Sequence, residues 1–171
     1  MRFKPQSHRA TIAVAIATLL SAGVALAASP KPGKQYSGTT SARKVNGYSA
    51  PLSFKVSKSD KQLQGFQYAD EGCFPTMTQP SGNPFTSAGS VHSLGTIGVA
   101  GGKFSVKNVK TTLSLKISGG TLKTVTTSAV NGKFPSAIKA TGTITFSQTQ
   151  TAPGLNHSCG PTTRTFTATA H

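Results

Sequence analysis

Apolar and polar residues alternate with a period of two over much of the chain. The clearest runs cover residues 52–56, 113–117, 138–146 and 166–170. Because successive side chains of a strand point to opposite faces, each run predicts a β-strand with one apolar and one polar face. Threonines fill much of the polar face, where a β-branched side chain suits the pleated backbone. No helical period with caps occurs beyond the N-terminal segment, so the pattern predicts an all-β fold.

Turn-forming dipeptides separate these runs. They are Asn46-Gly47, Gly101-Gly102, Gly119-Gly120 and Asn131-Gly132. The third of these joins two runs directly, which is typical of a tight hairpin. Short strands with regular turns and one apolar face predict a single antiparallel domain, either a β-sandwich or a β-barrel. The alternation alone does not distinguish between these two architectures.

Residues 69–94 lack this alternation and are punctuated by proline and glycine. Loops of this length are uncommon in compact domains and are often functional or mobile. We therefore predict a long loop at 69–94, with a short irregular strand near Val91 as the alternative.

The N-terminal segment has the organisation of an export signal. Arg2, Lys4 and Arg9 precede or flank an uncharged run at 11–20, and Ala-Leu-Ala at 25–27 matches the pattern cut by signal peptidase. A membrane anchor is the alternative, but the run is only marginally long and is rich in small residues.

These features predict three regions. They are a signal peptide at 1–27, a flexible lead-in at 28–34 and the all-β domain at 35–171. The mature protein would then be secreted or held in the cell envelope, with no transmembrane span.

The chain contains two cysteines, Cys73 and Cys159. Exported chains with two cysteines usually pair them, so we predict a disulfide that ties the long loop to the last strand. A catalytic thiolate is the alternative, and it would need a histidine such as His92 or His157 beside it.

The charge of the chain is strongly positive, because 18 Lys and Arg residues stand against 3 Asp and Glu residues, a net of +15. So few carboxylates argue against a paired-carboxylate glycosidase. A surface this basic attracts polyanions, and here the partner would be an anionic cell-wall polymer or an acidic polysaccharide. The lysines at outward positions of the predicted strands would make these contacts. They are Lys55, Lys103, Lys107, Lys116 and Lys139.

Two observations limit this interpretation. Lysines on exposed strands also protect sheet edges from pairing with other chains, which is the alternative without a partner. Specific nucleic-acid recognition is not expected, because lysine far outnumbers arginine and Phe54, Phe146 and Phe166 occupy inward positions, unsuited to stacking on bases.

Sequence motifs for catalysis or metal binding are missing. The chain has no P-loop, no dinucleotide-binding glycine motif, no zinc-protease motif and no nucleophile elbow. His92 and His157 have no histidine partner at ligand spacing, so we expect no metal site. Asp70 and Glu71 offer a calcium site as an alternative to surface pairing with lysines. We therefore predict no cofactor and no catalytic residue.

Several short motifs follow one another along the chain. They are G-x2-Y-S-G-T-T at 33–40, S-F-K-V-S at 53–57, G-F-Q-Y at 65–68, G-G-K-F at 101–104 and C-G-x3-R-x-F-T-A at 159–168. In this order they resemble small exported all-β proteins of unknown function from actinobacteria. The resemblance implies an exported bacterial domain in which Cys73 and Cys159 are paired, and it carries no catalytic residues.

These patterns together predict an exported, non-enzymatic extracellular or cell-envelope domain whose basic surface associates with anionic polymers. Two other functions stay open. A hydrolase would form its site from the 69–94 loop with His92 or His157 and with Asp70 or Glu71. A small β-barrel would carry an apolar ligand in its interior.

We expect the exported protein to contain one disulfide, between Cys73 and Cys159. Alkylation of the unfolded, non-reduced protein should add no label to its intact mass, and prior reduction should label both cysteines. Reduction should also lower the free energy of unfolding, because closing so long a loop contributes about 4 kcal/mol in the chain-entropy estimate. Labelling of either cysteine without reduction would contradict the pairing.

Overall fold

A computed structural model describes residues 27–42, 50–70 and 91–171 in full, together with the backbone of 77–78 and 84–85. These residues form strands and no helix, which confirms the predicted all-β class. The strands are β1 (Gln35–Thr40), β2 (Pro51–Val56), β3 (Gln62–Ala69), β4 (Met77–Thr78), β5 (Pro84–Phe85), β6 (Val91–Ser93), β7 (Ile97–Ala100), β8 (Lys103–Ile117), β9 (Gly120–Ser136), β10 (Lys139–Ala152) and β11 (Leu155–Ala170). Residues 1–26 of the predicted signal peptide and the turn predicted at Asn46-Gly47 lie outside the described residues.

Eight of the strands close into an antiparallel barrel. The order around it is β1, β2, β3, β7, β8, β9, β10 and β11, and β11 pairs with β1 to complete the ring. The extra strand β6 pairs with β3 beside β7, at the position near Val91 where a short strand was the predicted alternative. The sequence did not distinguish a sandwich from a barrel. Because the pairing between strands closes into a ring, the fold is a barrel. In the described part of the chain, no helix is long and apolar enough to cross a membrane.

β6 and β7 lie along the same edge of β3 as one interrupted strand. Leu94 N–H donates to the Phe66 carbonyl at 2.8 Å, and Phe66 N–H donates to the Gly95 carbonyl at 3.2 Å, so pairing with β3 continues across the break. On its other side β7 pairs with the first two residues of β8. Within the described residues β6 has no backbone pairing with β8, which leaves a seam between these two strands.

One half of the barrel interior is packed with aromatic rings, and we call it the aromatic end. The buried rings are Tyr36, Phe54, Phe66, Phe104, Phe134 and Phe166. Tyr36 stacks on Phe54 with 5.1 Å between centroids, and Phe54 stacks on Phe66 with 5.4 Å. Side chains just fill a barrel of eight strands, so these rings occupy the space that an apolar ligand would need.

Residues 28–34, predicted as a lead-in, run against this end of the barrel. Ala28 N–H donates to the Phe134 carbonyl at 2.7 Å, and Lys31 N–H donates to the Ala137 carbonyl at 2.9 Å. Pro30 between them is buried. These contacts attach the chain to the end of β9 and to the turn that follows it.

The turn predicted at Asn131-Gly132 was wrong, because both residues lie inside β9, which continues to Ser136. A glycine is needed there for a different reason: a Cβ at Gly132 would lie 2.3 Å from the ring of Phe104. Ile138, expected to point inward, falls instead in the β9–β10 turn and is 53% exposed. Both differences have one cause: the turn between β9 and β10 lies several residues after the predicted one.

β8 and β9 continue beyond the end of β7 and are joined by the two-residue loop Ser118-Gly119, which places the tight turn one residue before the predicted Gly119-Gly120. Leu113, Leu115 and Ile117 were expected to face a core, and this was wrong, since they are 56%, 45% and 38% exposed. The hairpin extends beyond the point where β7 pairs with β8, so no described strand packs on this apolar face.

Gly38 lies where β1 and β11 approach each other closely. A Cβ at Gly38 would lie 1.9 Å from the Thr167 carbonyl oxygen, so an alanine there would push apart the two strands that close the barrel. We expect Gly38→Ala to lower the free energy of unfolding by about 3 kcal/mol, measured by urea denaturation. Gly98→Ala is the control, because nothing lies within 4 Å of its Cβ position. Equal losses in the two variants would contradict this account.

Candidate functional site

The half of the barrel interior opposite the aromatic end is polar, and we call it the polar end. Its buried polar side chains are Asp70, His92, Thr124, Thr126, Ser128, Gln148 and Gln150. On β9 and β10 every second residue faces inward, and towards this end those positions change from phenylalanine, isoleucine and valine to threonine, serine and glutamine. The apolar core therefore does not fill this half, and its polar groups need hydrogen-bond partners.

Asp70 is the centre of the polar end. It directly follows β3 and is 1% exposed. Its Oδ2 accepts hydrogen bonds from His92 Nε2 at 2.8 Å and from Gln148 Nε2 at 2.7 Å. A buried carboxylate needs such donors, because leaving the charge desolvated and unpaired costs several kcal/mol. Since the donors come from β6 and β10, one carboxylate connects three separate strands.

His92 extends this connection to β8. A carboxylate only accepts, so Nε2–H of His92 donates to Asp70, and in a neutral imidazole Nδ1 is then an acceptor. The Thr111 hydroxyl lies 3.0 Å from Nδ1 and fits as its donor. Because β6 and β8 share no described backbone pairing, this side-chain hydrogen bond bridges the seam.

The order carboxylate, imidazole, hydroxyl is also the one that hydrolases use to activate a nucleophile. The hydrolase hypothesis required a histidine within hydrogen-bond reach of an acid and a nucleophile, and His92 meets this requirement. His157 is exposed on β11, where its register partner is Gln150. His92 itself is only 4% exposed, and none of the described pockets is lined by it or by Thr111. The described geometry therefore fits a structural bridge better than an accessible catalytic group.

Tyr68 carries the network on to β9, with its hydroxyl 2.8 Å from Ser128 Oγ. Burial raises the pKa of Tyr68 far above its usual value, the hydrogen bond to Ser128 offsets part of this rise, and the Asp70 charge adds to it. The phenol therefore stays protonated at neutral pH and acts as a hydrogen-bonding group. Arg164 lines the same small space as Tyr68 and Asp70, which brings a guanidinium close to this network.

The sequence pointed to Asp70 and His92 but not to their partners. Gln148 follows the predicted run 138–146 by two residues, so it continues the inward-facing positions. The signal available in the sequence was a glutamine at a position where the alternation predicts a buried apolar residue. Thr111 precedes the predicted run 113–117 by two residues and so continues its inward-facing positions, but threonine is common throughout these strands and gave no comparable signal.

Metal binding gains no support in the described part of the chain. No group of three or more histidine, cysteine or acidic side chains comes together there. The calcium alternative rested on Asp70 and Glu71, but Asp70 Oδ2 is occupied by two donors and Glu71 lies outside the described residues.

Cys159 lies beside the polar end, half-buried on β11 and opposite Gln148 in the β10–β11 register. No cysteine of the described residues is free, and Cys73 lies outside them. Gln148 contacts Asp70, and Cys73 follows Asp70 by three residues, a reach of about 10 Å. This proximity supports the Cys73–Cys159 disulfide, which stays a prediction.

The outer surface of β8 and β9 is a second candidate site, and we call it the lysine face. Its exposed lysines are Lys103, Lys107, Lys110, Lys116, Lys123 and Lys133. Lys103 and Lys133 stand directly opposite each other across the two strands. Like charges in this position destabilise a sheet, so the stability of the fold does not account for the pair.

The lysines predicted as polyanion contacts are all exposed in the structure. Lys103, Lys107 and Lys116 share the lysine face, whereas Lys139 begins β10 and Lys55 lies on β2, three strands away from β8 around the barrel. The pattern missed Lys133 because a turn was predicted just before it. It missed Lys110 because the predicted run began only at residue 113.

The lysine face has no described carboxylate to neutralise it. The described acids are Asp60, in the turn between β2 and β3, and Asp70, inside the barrel. In the part of the chain that the structure describes, the ion pair found is the one between Asp70 and His92. Among the described residues, no carboxylate is therefore paired with an ammonium group of the lysine face.

A shallow open groove of about 520 Å³ runs along part of this face. It is lined by Lys103 and Lys107 together with the polar side chains of Ser105, Asn131 and Thr143. Hydroxyl and amide groups beside ammonium groups can donate hydrogen bonds to the same anionic oxygens. The groove is therefore suited to a phosphate or carboxylate of a polymer chain.

We expect Asp70→Asn to lower the free energy of unfolding by about 3 kcal/mol, because an amide cannot accept from both His92 and Gln148 with the strength of a carboxylate. Asp60→Asn is the matched control. Asp60 sits in a turn with φ of 56°, a conformation that asparagine also adopts. Urea denaturation of both variants measures the difference, and a loss of less than about 1 kcal/mol in Asp70→Asn would show that the bridge is dispensable.

Comparison with known proteins finds no matching family model, no matching curated protein and no matching solved structure. The resemblance to exported actinobacterial proteins therefore stays a prediction, and the function is argued from the geometry alone.

Proposed function

We propose that this protein is an exported, non-enzymatic domain of the extracellular space or cell envelope that associates with anionic polymers through its lysine face. The observation that carries the proposal is the Lys103–Lys133 pair, in which two exposed lysines occupy directly opposite positions of β8 and β9 with no described carboxylate paired to either. A polyanion bound across the two strands would turn this repulsion into attraction.

The rest of the lysine face supports an extended ligand rather than a small anion. Lys107 and Lys110 continue the row along β8, and Lys123 and Lys116 carry it to the tip of the hairpin. Adjacent strands lie about 5 Å apart and alternate residues about 7 Å apart, so one polymer chain can meet several ammonium groups in turn. Such binding is diffuse and weakens with salt.

The fold supports this role in two ways. The aromatic end is filled by side chains, which leaves an apolar ligand little space there and makes the carrier hypothesis less attractive. The Asp70 bridge and the predicted disulfide would then keep a rigid barrel behind the lysine face.

A hydrolase is the second candidate, favoured by the contact of His92 with both Asp70 and Thr111. Its nucleophile would be the Thr111 hydroxyl, with His92 as the base and Asp70 as the group that orients the imidazole. Turnover of an ester or peptide that is lost in Thr111→Val would favour it over polymer binding.

We expect the double variant Lys103→Gln, Lys133→Gln to bind an anionic polymer more weakly than the wild type. Polyphosphate is the first probe and purified anionic wall polymer the second, each titrated across a salt series. The slope of log affinity against log salt should fall by about two, one for each ammonium group removed. The free energy of unfolding should not decrease, because the variant relieves a like-charge pair.

The matched control is the double variant Lys55→Gln, Lys58→Gln, which removes the same charge from exposed positions near the β2–β3 turn. If both variants lose the same affinity, net charge alone attracts the polymer and the lysine face has no special role. Wild-type affinity no greater than that of an unrelated protein of equal charge would overturn the proposal entirely.

A further inference from the structure

The outer edge of β8 is an open strand edge in the part of the chain that the structure describes. β8 runs from Lys103 to Ile117 and pairs along its whole length with β9, but β7 covers only its first two residues on the other side. From Lys110 to the tip, the edge is about 25 Å long. Open edges of this kind bind extended peptides by adding a strand to the sheet.

The hairpin geometry shows which backbone groups are available on this edge. In a two-residue hairpin the residues flanking the loop, here Ile117 and Gly120, form a hydrogen-bonded pair. Such pairs alternate along an antiparallel ladder, so the odd-numbered residues near the tip bond to β9. Even-numbered residues such as Thr112 and Ser114 then direct their N–H and C=O groups towards the open edge.

The two faces beside this edge differ in chemistry. Leu113, Leu115 and Ile117 form an exposed apolar face on the side that continues the barrel interior. Lys110 and Lys116 project from the opposite side, on the lysine face. A strand added to β8 would place its side chains alternately on these two faces.

We propose that the β8 edge binds an extended peptide segment in which apolar and acidic residues alternate. The backbone of the segment would pair with the even-numbered residues of β8, its apolar side chains would cover Leu113 and Leu115, and its carboxylates would meet Lys110 and Lys116. This occupant follows from charge complementarity, because the lysine face carries no described carboxylate of its own. The inference goes beyond polymer binding, since it requires backbone pairing and apolar contact.

A second copy of the chain fits this edge less well. Antiparallel pairing of two β8 edges would bring the lysines of both copies onto one face, close to one another. Like charges opposite each other across a strand pair are destabilising. An acidic partner turns the same lysines into attractive contacts, and lysines on an edge are a known means of preventing self-association.

The test uses an acetylated and amidated peptide that alternates valine and glutamate over about eight residues, the length of the open edge. Binding to the full chain is measured by fluorescence anisotropy at about 0.15 M salt. A peptide of the same length that alternates valine and lysine is the charge control. We expect the glutamate peptide to bind at least about tenfold more tightly than the lysine peptide.

Two variants separate strand addition from attraction by charge alone. Ser114→Pro removes one N–H from the open edge and leaves every lysine in place, with Ser114→Ala as its matched control. Leu115→Thr removes apolar contact and keeps a residue suited to a strand. We expect Ser114→Pro and Leu115→Thr each to weaken the glutamate peptide about tenfold, with Ser114→Ala unchanged.

The outcomes are distinct from those of the polymer experiment. Ser114→Pro and Leu115→Thr should leave the affinity for polyphosphate unchanged, because neither removes a charge. Equal peptide binding by wild type, Ser114→Pro and Leu115→Thr would overturn the proposal, as would sedimentation that shows a dimer lost in Ser114→Pro. Circular dichroism of each variant checks that the fold is intact.

Discussion

Closure of the barrel is the constraint on which the rest of the structure depends. Once β11 pairs with β1, every second side chain of the ring must face a space just wide enough to be filled. Gly38 and Gly132 have no side chain because a backbone or a ring lies where their Cβ would be. The remaining inward positions divide into an aromatic half and a polar half, and the outward positions carry threonine and lysine.

The polar end shows how the barrel holds together where backbone pairing is missing. β6 and β8 share no described backbone pairing, and the side-chain hydrogen bond between Thr111 and His92 connects them instead. Asp70 makes this bridge possible because its carboxylate accepts from His92 and Gln148 at once. A structural role explains why a possible catalytic arrangement is buried, and it connects Asp70 and His92 to the stability of the barrel.

The lysine face and the β8 edge lie on the same pair of strands, but the interactions proposed for them depend on different forces. The proposed polymer binding would depend on ammonium groups at the spacing of a sheet and would therefore be sensitive to salt. The proposed strand addition would depend on backbone groups at the described open edge and on the exposed Leu113, Leu115 and Ile117. The open edge and the exposed apolar residues lie on the part of β8 that extends beyond β7, whereas Lys103 and Lys133 lie where neighbouring strands pair with β8 and β9.

The linear pattern was sufficient for whatever depends on neighbours along the chain. The alternation at 52–56 and 166–170 correctly placed Phe54 and Phe166 inside, and glycine at 119 marked the hairpin, because side-chain direction and turn geometry are local properties. It failed where a glycine served close packing, as at Gly132, and where an apolar run was not covered by another strand, as at Leu113.

Distant contacts were decided by the tertiary structure. Ring closure, the meeting of Asp70 with His92 and Gln148, and the pairing of Lys103 with Lys133 join residues far apart in sequence. The exposure of Leu113 also depends on where other strands end, because an apolar residue is buried only if another layer covers it. No property of one segment encodes the position of another, so these features emerge only when the register of the whole barrel is set.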